Sequence, residues 1–258
     1  MKNNIYDLSG QTAFVCGGSS GLGFEFAKAL ANAGANIAIV ARRTQRLEEN
    51  AHEIEKEYGV KVYPHYMDLL DSKTIAECVG DVVKHFGKID ILVNSAGISG
   101  AGEPSTLSDE DWLKVINTDL NGQFYVCREV VHQSMKPNKY GRIVMVASIH
   151  AVAGRKGVDT ASYAAAKGGV LNLTRSLANS WARDNITVNC ICPGYFPTEM
   201  TAPYIEQPFF KQAHIDYCPM ERHGLINEMD GICTYFASPA CSYTTGQYIC
   251  VDGGWTCV

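Results

Sequence analysis

Apolar positions along this chain recur in two periods, and the two periods take turns. Residues 12–16 form a short apolar run. A glycine-rich stretch follows, and then Phe24, Ala27, Leu30 and Ala31 return at helical spacing as far as Gly34. Residues 36–41 are again an apolar run of strand length, and 45–58 a charged helix. The alternation continues with a strand at 60–66, a helix at 71–86 and a strand at 89–93. A long helix runs from 109 to about 135, with Ser108 as its N-cap. Strands at 142–147, 186–191 and 247–251 alternate with helices at 162–183 and 227–237. Only 195 to about 222 lacks a clear period. Seven strands separated by helices predict an α/β protein, with a doubly wound, seven-stranded parallel sheet and right-handed crossovers. No repeat, linker or low-complexity tract interrupts it, so 1–258 is expected to be a single domain.

Composition narrows the function classes. The 258 residues are 46% hydrophobic and 19% charged, which suits one packed domain. The net charge is -5 and there is no basic run, so no nucleic-acid partner is expected. No stretch of about 18 uninterrupted apolar residues spans a membrane. The opening Met1-Lys2-Asn3-Asn4-Ile5 carries no apolar signal core, and a cytoplasmic location is expected. Ten scattered cysteines include no C-x-x-C. They read as small buried thiols, neither disulfides nor a metal site.

In doubly wound sheets, ligands bind beyond the carboxyl ends of the strands. In this alternation Gly17, Ala41, Asp68, Asn94, Ser148 and Pro193 all fall at such ends and should line one crevice. Gly17-Gly18-Ser19-Ser20-Gly21-Leu22-Gly23 lies directly between strand and helix. There glycines let the backbone approach a pyrophosphate, and the helix start adds unpaired amides and the positive dipole end. Farther on, Tyr163 and Lys167 stand four residues apart, on one face of a helix. An ammonium close to a phenol favours the phenolate, which suits a proton exchange with an alcohol or ketone.

These motifs stand in a familiar order: Gly17-x-x-x-Gly21-x-Gly23, Asp68, Asn94-Ser95-Ala96-Gly97, Ser148, Tyr163-x-x-x-Lys167, Asn189, Pro193-Gly194 and Thr198. Over nearly its whole length the chain resembles the short-chain dehydrogenase/reductase family. The resemblance implies a Rossmann fold and NAD(P)(H)-dependent interconversion of a secondary alcohol and a ketone. It implies Tyr163 as general acid/base, Lys167 as the group that tunes it and holds the nicotinamide ribose, and Ser148 as donor to the substrate oxygen. Gly17, Ser19, Ser20, Gly21, Leu22, Gly23, Asn94, Ala96 and Gly97 are then expected to hold cofactor. Asp68 and Leu69 are expected at the adenine, with Pro193, Gly194 and Thr198 near the carboxamide. The family is usually tetrameric, so a homotetramer is expected.

Three positions depart from the family pattern. Cys16 replaces a threonine before the glycine turn, and Ser95 replaces the second asparagine of Asn-Asn-Ala-Gly. The fourth catalytic position, usually asparagine, falls on Asp119. Asp119 is expected to keep a proton-relay role with a shifted pH optimum, because an ionised carboxylate offsets the lysine ammonium.

Coenzyme choice is read at the end of the second strand, Ile39-Val40-Ala41-Arg42-Arg43. Ala41 stands where an acidic residue would bind a ribose 2′-hydroxyl, and Arg42 follows it directly. A guanidinium holds a 2′-phosphate through charge-assisted bonds worth about 1.5–3 kcal/mol. That is about a tenfold to hundredfold preference for NADP(H) over NAD(H), with Arg42 and Arg43 as the binding cations.

The substrate is less legible. A lid is expected at about 195–222, with Tyr195, Phe196, Met200 and Tyr204, together with His150, as candidate substrate contacts. The run Gly194-Tyr195-Phe196-Pro197-Thr198-Glu199-Met200-Thr201 resembles gluconate 5-dehydrogenases and related polyol dehydrogenases of the family. That implies a polyol or sugar acid, although no lysine or arginine precedes Lys211 in the lid, leaving Arg155 or Lys156 as partners for a carboxylate. The aromatic, methionine-rich lid keeps a hydroxysteroid or bile acid open as an alternative. A cofactor-binding protein without turnover is the alternative of another class. An acyl-carrier substrate is disfavoured by the lack of a basic patch.

Overall fold

The computed structural model describes residues 4–154 and 157–257. Its seven strands are β1 (Thr12–Cys16), β2 (Asn36–Ala41), β3 (Val62–Tyr66), β4 (Ile91–Asn94), β5 (Gly141–Val146), β6 (Ile186–Pro193) and β7 (Tyr248–Val251). They form one sheet in the order β3-β2-β1-β4-β5-β6-β7, every pair parallel. The chain winds outward from β1 to β3, returns to the middle, and winds the other way from β4 to β7. The reversal leaves a crevice above the paired ends of β1 and β4, where Cys16 sits beside Asn94.

The strands are apolar on both faces because helices cover both. Helices α1 (Gly21–Asn32) and α2 (Thr44–Tyr58) pack on one face. On the other lie α3 (Ser72–Phe86), α4 (Asp109–Ile116) and α5 (Gln123–Val130), the last continued by α6 (Lys136–Asn138), and then α7 (Ala161–Trp181). Helix α8 (Pro208–Tyr217) belongs to the lid, and α9 (Asp230–Ala237) returns to the first face. Alternate residues of β1 divide the core accordingly. Ala13 and Val15 meet Phe26, Leu30 and Phe236, whereas Phe14 and Cys16 meet Ile75, Cys78 and Val126. All ten cysteines are free thiols and eight are buried. Among the described residues, no helix is long and apolar enough to cross a membrane.

The structure differs from the sequence-based expectation at three places. Strand β6 runs on to Pro193, because Pro193 still pairs with Val251. Helix α8 occupies the stretch without a period. Its Phe210, Ala213 and His214 are buried against other lid side chains, so no clean apolar stripe marks it. The helix expected from 109 to about 135 is continuous but widens twice into π-helical turns, at Asn117–Gly122 and Val131–Met135. The first of these carries Asp119.

Candidate active site

The carboxyl ends of the strands surround a cleft of about 1160 Å³. The glycine turn forms one end. Gly17 and Gly18 both donate to Val40 O, at 2.9 and 3.3 Å, which ties the turn to β2. Gly17 has φ +90°, and a Cβ there would lie 2.8 Å from Ala96 N. A Cβ on Gly23 would lie 2.3 Å from Gly17 O, so only glycine lets α1 start this close to the strand. Ser20, which precedes α1, makes no side-chain cap to the first amides of the helix, and Gly21, Leu22 and Gly23 of that first turn line the cleft. This cradle fits a dinucleotide phosphate: close backbone approach, open amides and a positive helix end.

Arg43 closes the outer end. Its guanidinium donates to Ser19 Oγ (3.1 and 3.3 Å) and Ser20 Oγ (2.5 Å), and to Glu199 Oε2 at 3.0 Å. Arg42 lines the cleft beside it, and Asp68 and Leu69 line the neighbouring wall. Asp68 Oδ1 accepts from Leu70 N at 3.0 Å, which fixes the loop after β3.

Tyr163 and Lys167 come from the first turns of α7. Both face the cleft, with Lys167 Nζ 5.5 Å from the Tyr163 ring centroid. Lys167 is 3% exposed; Nζ donates to Val146 O at 3.2 Å and lies 3.3 Å from Asp119 Oδ2. Asp119 is wholly buried, and its Oδ1 accepts from Ile98 N at 2.8 Å. Burial alone pushes the Lys167 ammonium down, but the Asp119 carboxylate and the Tyr163 phenol outweigh it and hold the lysine above its ordinary range. Burial raises the Asp119 carboxyl against the opposing pull of Lys167 and the Ile98 amide. A Cβ on Gly97 would lie 2.7 Å from Asp119 Oδ2 and 3.1 Å from Lys167 Nζ, so Gly97 makes room for this pair.

Ser148 follows β5, is nearly buried and accepts from His150 N at 3.2 Å. The His150 ring stands edge-on to Tyr163, centroids 5.9 Å apart. Its Nε2 lies 3.3 Å from Tyr195 Oη and its Nδ1 3.4 Å from Thr160 Oγ1. Tyr195 in turn packs edge-on against Phe210 (4.7 Å) and Trp255 (5.0 Å), and Tyr204 lies 5.0 Å from Phe210.

The cleft therefore brings together Gly17, Ser19, Ser20, Gly21, Leu22, Gly23, Arg42, Arg43, Asp68, Leu69, Ala96, Gly97, Pro193, Gly194 and Thr198 with Asp119, Ser148, Tyr163 and Lys167. His150, Tyr195, Phe196, Met200 and Tyr204 line it too. Asn94 and Phe196 sit differently from the rest. Asn94, expected to hold cofactor, is fully buried behind the cleft wall; its Nδ2 donates to Gln123 O at 2.8 Å and ties β4 to α5. Phe196 reaches the cleft but is only 3% exposed, because it fills the space beside Gly224. Arg155 and Lys156, considered for a carboxylate, lie outside the described residues.

A family model described as enoyl-(acyl carrier protein) reductase matches residues 17–256. Gluconate 5-dehydrogenase of Gluconobacter oxydans is 34% identical over 253 residues, 98% of this chain and 97% of the relative. The chain belongs to the short-chain dehydrogenase/reductase family. It is an oxidoreductase of the class that acts on alcohol and ketone groups. An NADP-dependent mannitol dehydrogenase of Hypocrea jecorina is 37% identical over 98% of this chain and 95% of its own length. The solved gluconate 5-dehydrogenase of Burkholderia cenocepacia, in complex with NADP and tartrate, superposes with a TM-score of 0.94. It is 30% identical, over 99% of this chain and 98% of that one.

Within this family frame, sequence reasoning missed one residue of the cleft mouth. Glu199 stands 156 positions from Arg43. Its only sequence signal is its place directly after Thr198 in the run Thr198-Glu199-Met200.

Proposed function

We propose that this enzyme interconverts a secondary alcohol and a ketone on a polyol or sugar acid, with NADP(H) as the favoured coenzyme. One observation carries the substrate class. The groups beside Tyr163 and Ser148 at the substrate end are polar: the His150 ring, the Tyr195 hydroxyl and Thr160. Of the lid aromatics that had suggested a steroid, Tyr195 and Tyr204 pack on Phe210, and Tyr195 also on Trp255, while Phe209 and Tyr217 stay exposed at the outer part of the cleft. Hydroxyls on neighbouring carbons of a polyol suit such a wall, whereas a steroid would leave its polar groups unpaired. The names of the relatives, gluconate 5-dehydrogenase and mannitol dehydrogenase, agree with this class.

In the oxidation direction Tyr163 takes the proton of the substrate hydroxyl as the C–H bond breaks. Ser148 donates a hydrogen bond to the same oxygen, where charge develops. Lys167 stands beside the Tyr163 ring, where its ammonium faces the phenol, and is itself held by Val146 O and Asp119. A nicotinamide cofactor supplies the hydride acceptor here. The glycine turn, with its open amides, is the cradle for its phosphates, and Arg42 and Arg43 are the cations for a 2′-phosphate.

The test is a panel of polyols, sugar acids and hydroxysteroids with NADP+ and NAD+, followed at the nicotinamide absorbance, for the parent and for Tyr163→Phe. Turnover of polyols or sugar acids is expected, with kcat in the variant down by about a hundredfold or more. A fully active variant would remove the tyrosine mechanism. Activity on hydroxysteroids alone would overturn the substrate class. If cofactor binds but no member reacts, the non-catalytic alternative gains.

A further inference from the structure

The Arg43–Glu199 ion pair crosses the mouth of the cleft, from the end of β2 to the first residues of the lid. Its position is built. A Cβ on Gly21 would lie 3.5 Å from Thr198 Cβ, so the lid segment is seated on the glycine turn, and the next residue delivers its carboxylate to Arg43. The four hydrogen bonds of Arg43 are not equivalent. Nε and Nη2 face Ser19 and Ser20, whose hydroxyls both donate and accept and can rotate to serve a phosphate oxygen. Nη1 faces Glu199, and a carboxylate only accepts. A 2′-phosphate reaching Arg43 would therefore keep the serines as partners and meet Glu199 as a like charge competing for the same donor.

We propose that Glu199 is a specificity-determining residue for the coenzyme: its carboxylate competes with the 2′-phosphate of NADP(H) for Arg43 and so moderates the preference over NAD(H). The proposal rests on the reading of Arg42 and Arg43 as the 2′-phosphate cations. The size of the effect follows from exposure. The side chains of Arg43 and Glu199 are 53% and 54% exposed, and an ion pair that open shifts an equilibrium by no more than about fivefold. The competition is thus a brake on NADP(H) binding, not a block. NAD(H), with a 2′-hydroxyl, leaves the pair intact.

Direct binding tests this without any substrate. Dissociation constants of NADPH and NADH are measured by nicotinamide fluorescence for the parent, Glu199→Gln, Arg43→Gln and the double variant. Glu199→Gln is expected to tighten NADPH by about two- to fivefold and to move NADH less. In the Arg43→Gln background the same change should do little. An unchanged NADPH/NADH ratio in Glu199→Gln, or a ratio shifted toward NADH, overturns the proposal. So does an equal gain in the Arg43→Gln background. The coenzyme reading is judged separately, by the parent's own ratio. A parent that prefers NADH overturns that reading, while the shift caused by Glu199→Gln still decides the competition.

Discussion

Asp119 is the residue whose chemistry departs most from the family pattern, and its geometry says what the departure does. The carboxylate lies 3.3 Å from Lys167 Nζ, and both side chains are buried at the floor of the cleft. At that range the carboxylate opposes the ammonium charge beside the Tyr163 ring. Asparagine at this position would keep the Ile98 N–H bond through its Oδ1 and lose the charge. Asp119→Asn is therefore expected to let the ammonium act undiminished on the phenolate. The pH–rate profile of alcohol oxidation should move to lower pH. A profile that stays where it is, with the variant folded, would mean that the carboxylate does not offset the lysine.

At the scale of elements, the π-helical turn at Asn117–Gly122 explains how Asp119 reaches the site. A widened turn adds a residue to the cycle, rotates the following face and often marks a functional position. Here Asp119 and Gly122 are buried together, while Asn121 Nδ2 turns away to donate to Asn117 Oδ1 at 2.8 Å. Gly122 lets the helix touch the loop after β3, since a Cβ there would lie 2.8 Å from Leu69 Cβ and 3.0 Å from Leu69 O. In a free helix Gly→Ala stabilises by about 1 kcal/mol. At Gly122 the sign reverses: Gly122→Ala is expected to destabilise by about 1–3 kcal/mol, because Leu69 is backed by core. A thermal melt that rises in this variant would contradict the packing. This turn was invisible in the sequence, because the apolar spacing on either side fits an ordinary helix. The strands and most helices were legible, since burial on both faces writes long apolar runs and one-sided helices write a 3.6 period. Helix α8 was not legible, because its buried residues meet the lid rather than the sheet. The Tyr163–Lys167 pair was legible as one turn of helix, whereas Arg43–Glu199 depends on a loop meeting a strand end from far along the chain.

Over the whole molecule, the sheet's two cores differ in what their outer helices leave charged. On the side of α1 and α9, Asp230 faces Glu25 and Lys28 in a second cavity of about 620 Å³ that Tyr6 and Tyr58 also line. Burial pushes the Asp230 carboxyl up to about 6, and Glu25 adds to the rise against Lys28. The folded chain therefore holds this proton more tightly than the unfolded chain does. The associated stability is fully present below pH ~4, the unfolded value, and is lost as pH rises through about 6. Part of the shift is screened by solvent, so about 1 kcal/mol is at stake. Asp230→Asn removes the titration, and asparagine still suits the first turn of α9. The variant's melting temperature relative to the parent should rise by about 2–3 °C between pH 5 and pH 8, whatever its offset at any one pH. A difference that stays flat across that window would mean that Asp230 is solvated and that the α1–α9 face carries no buried charge. Because this face lies across the sheet from α7, the variant's pH–rate profile should match the parent's, which separates its effect from that of Asp119→Asn.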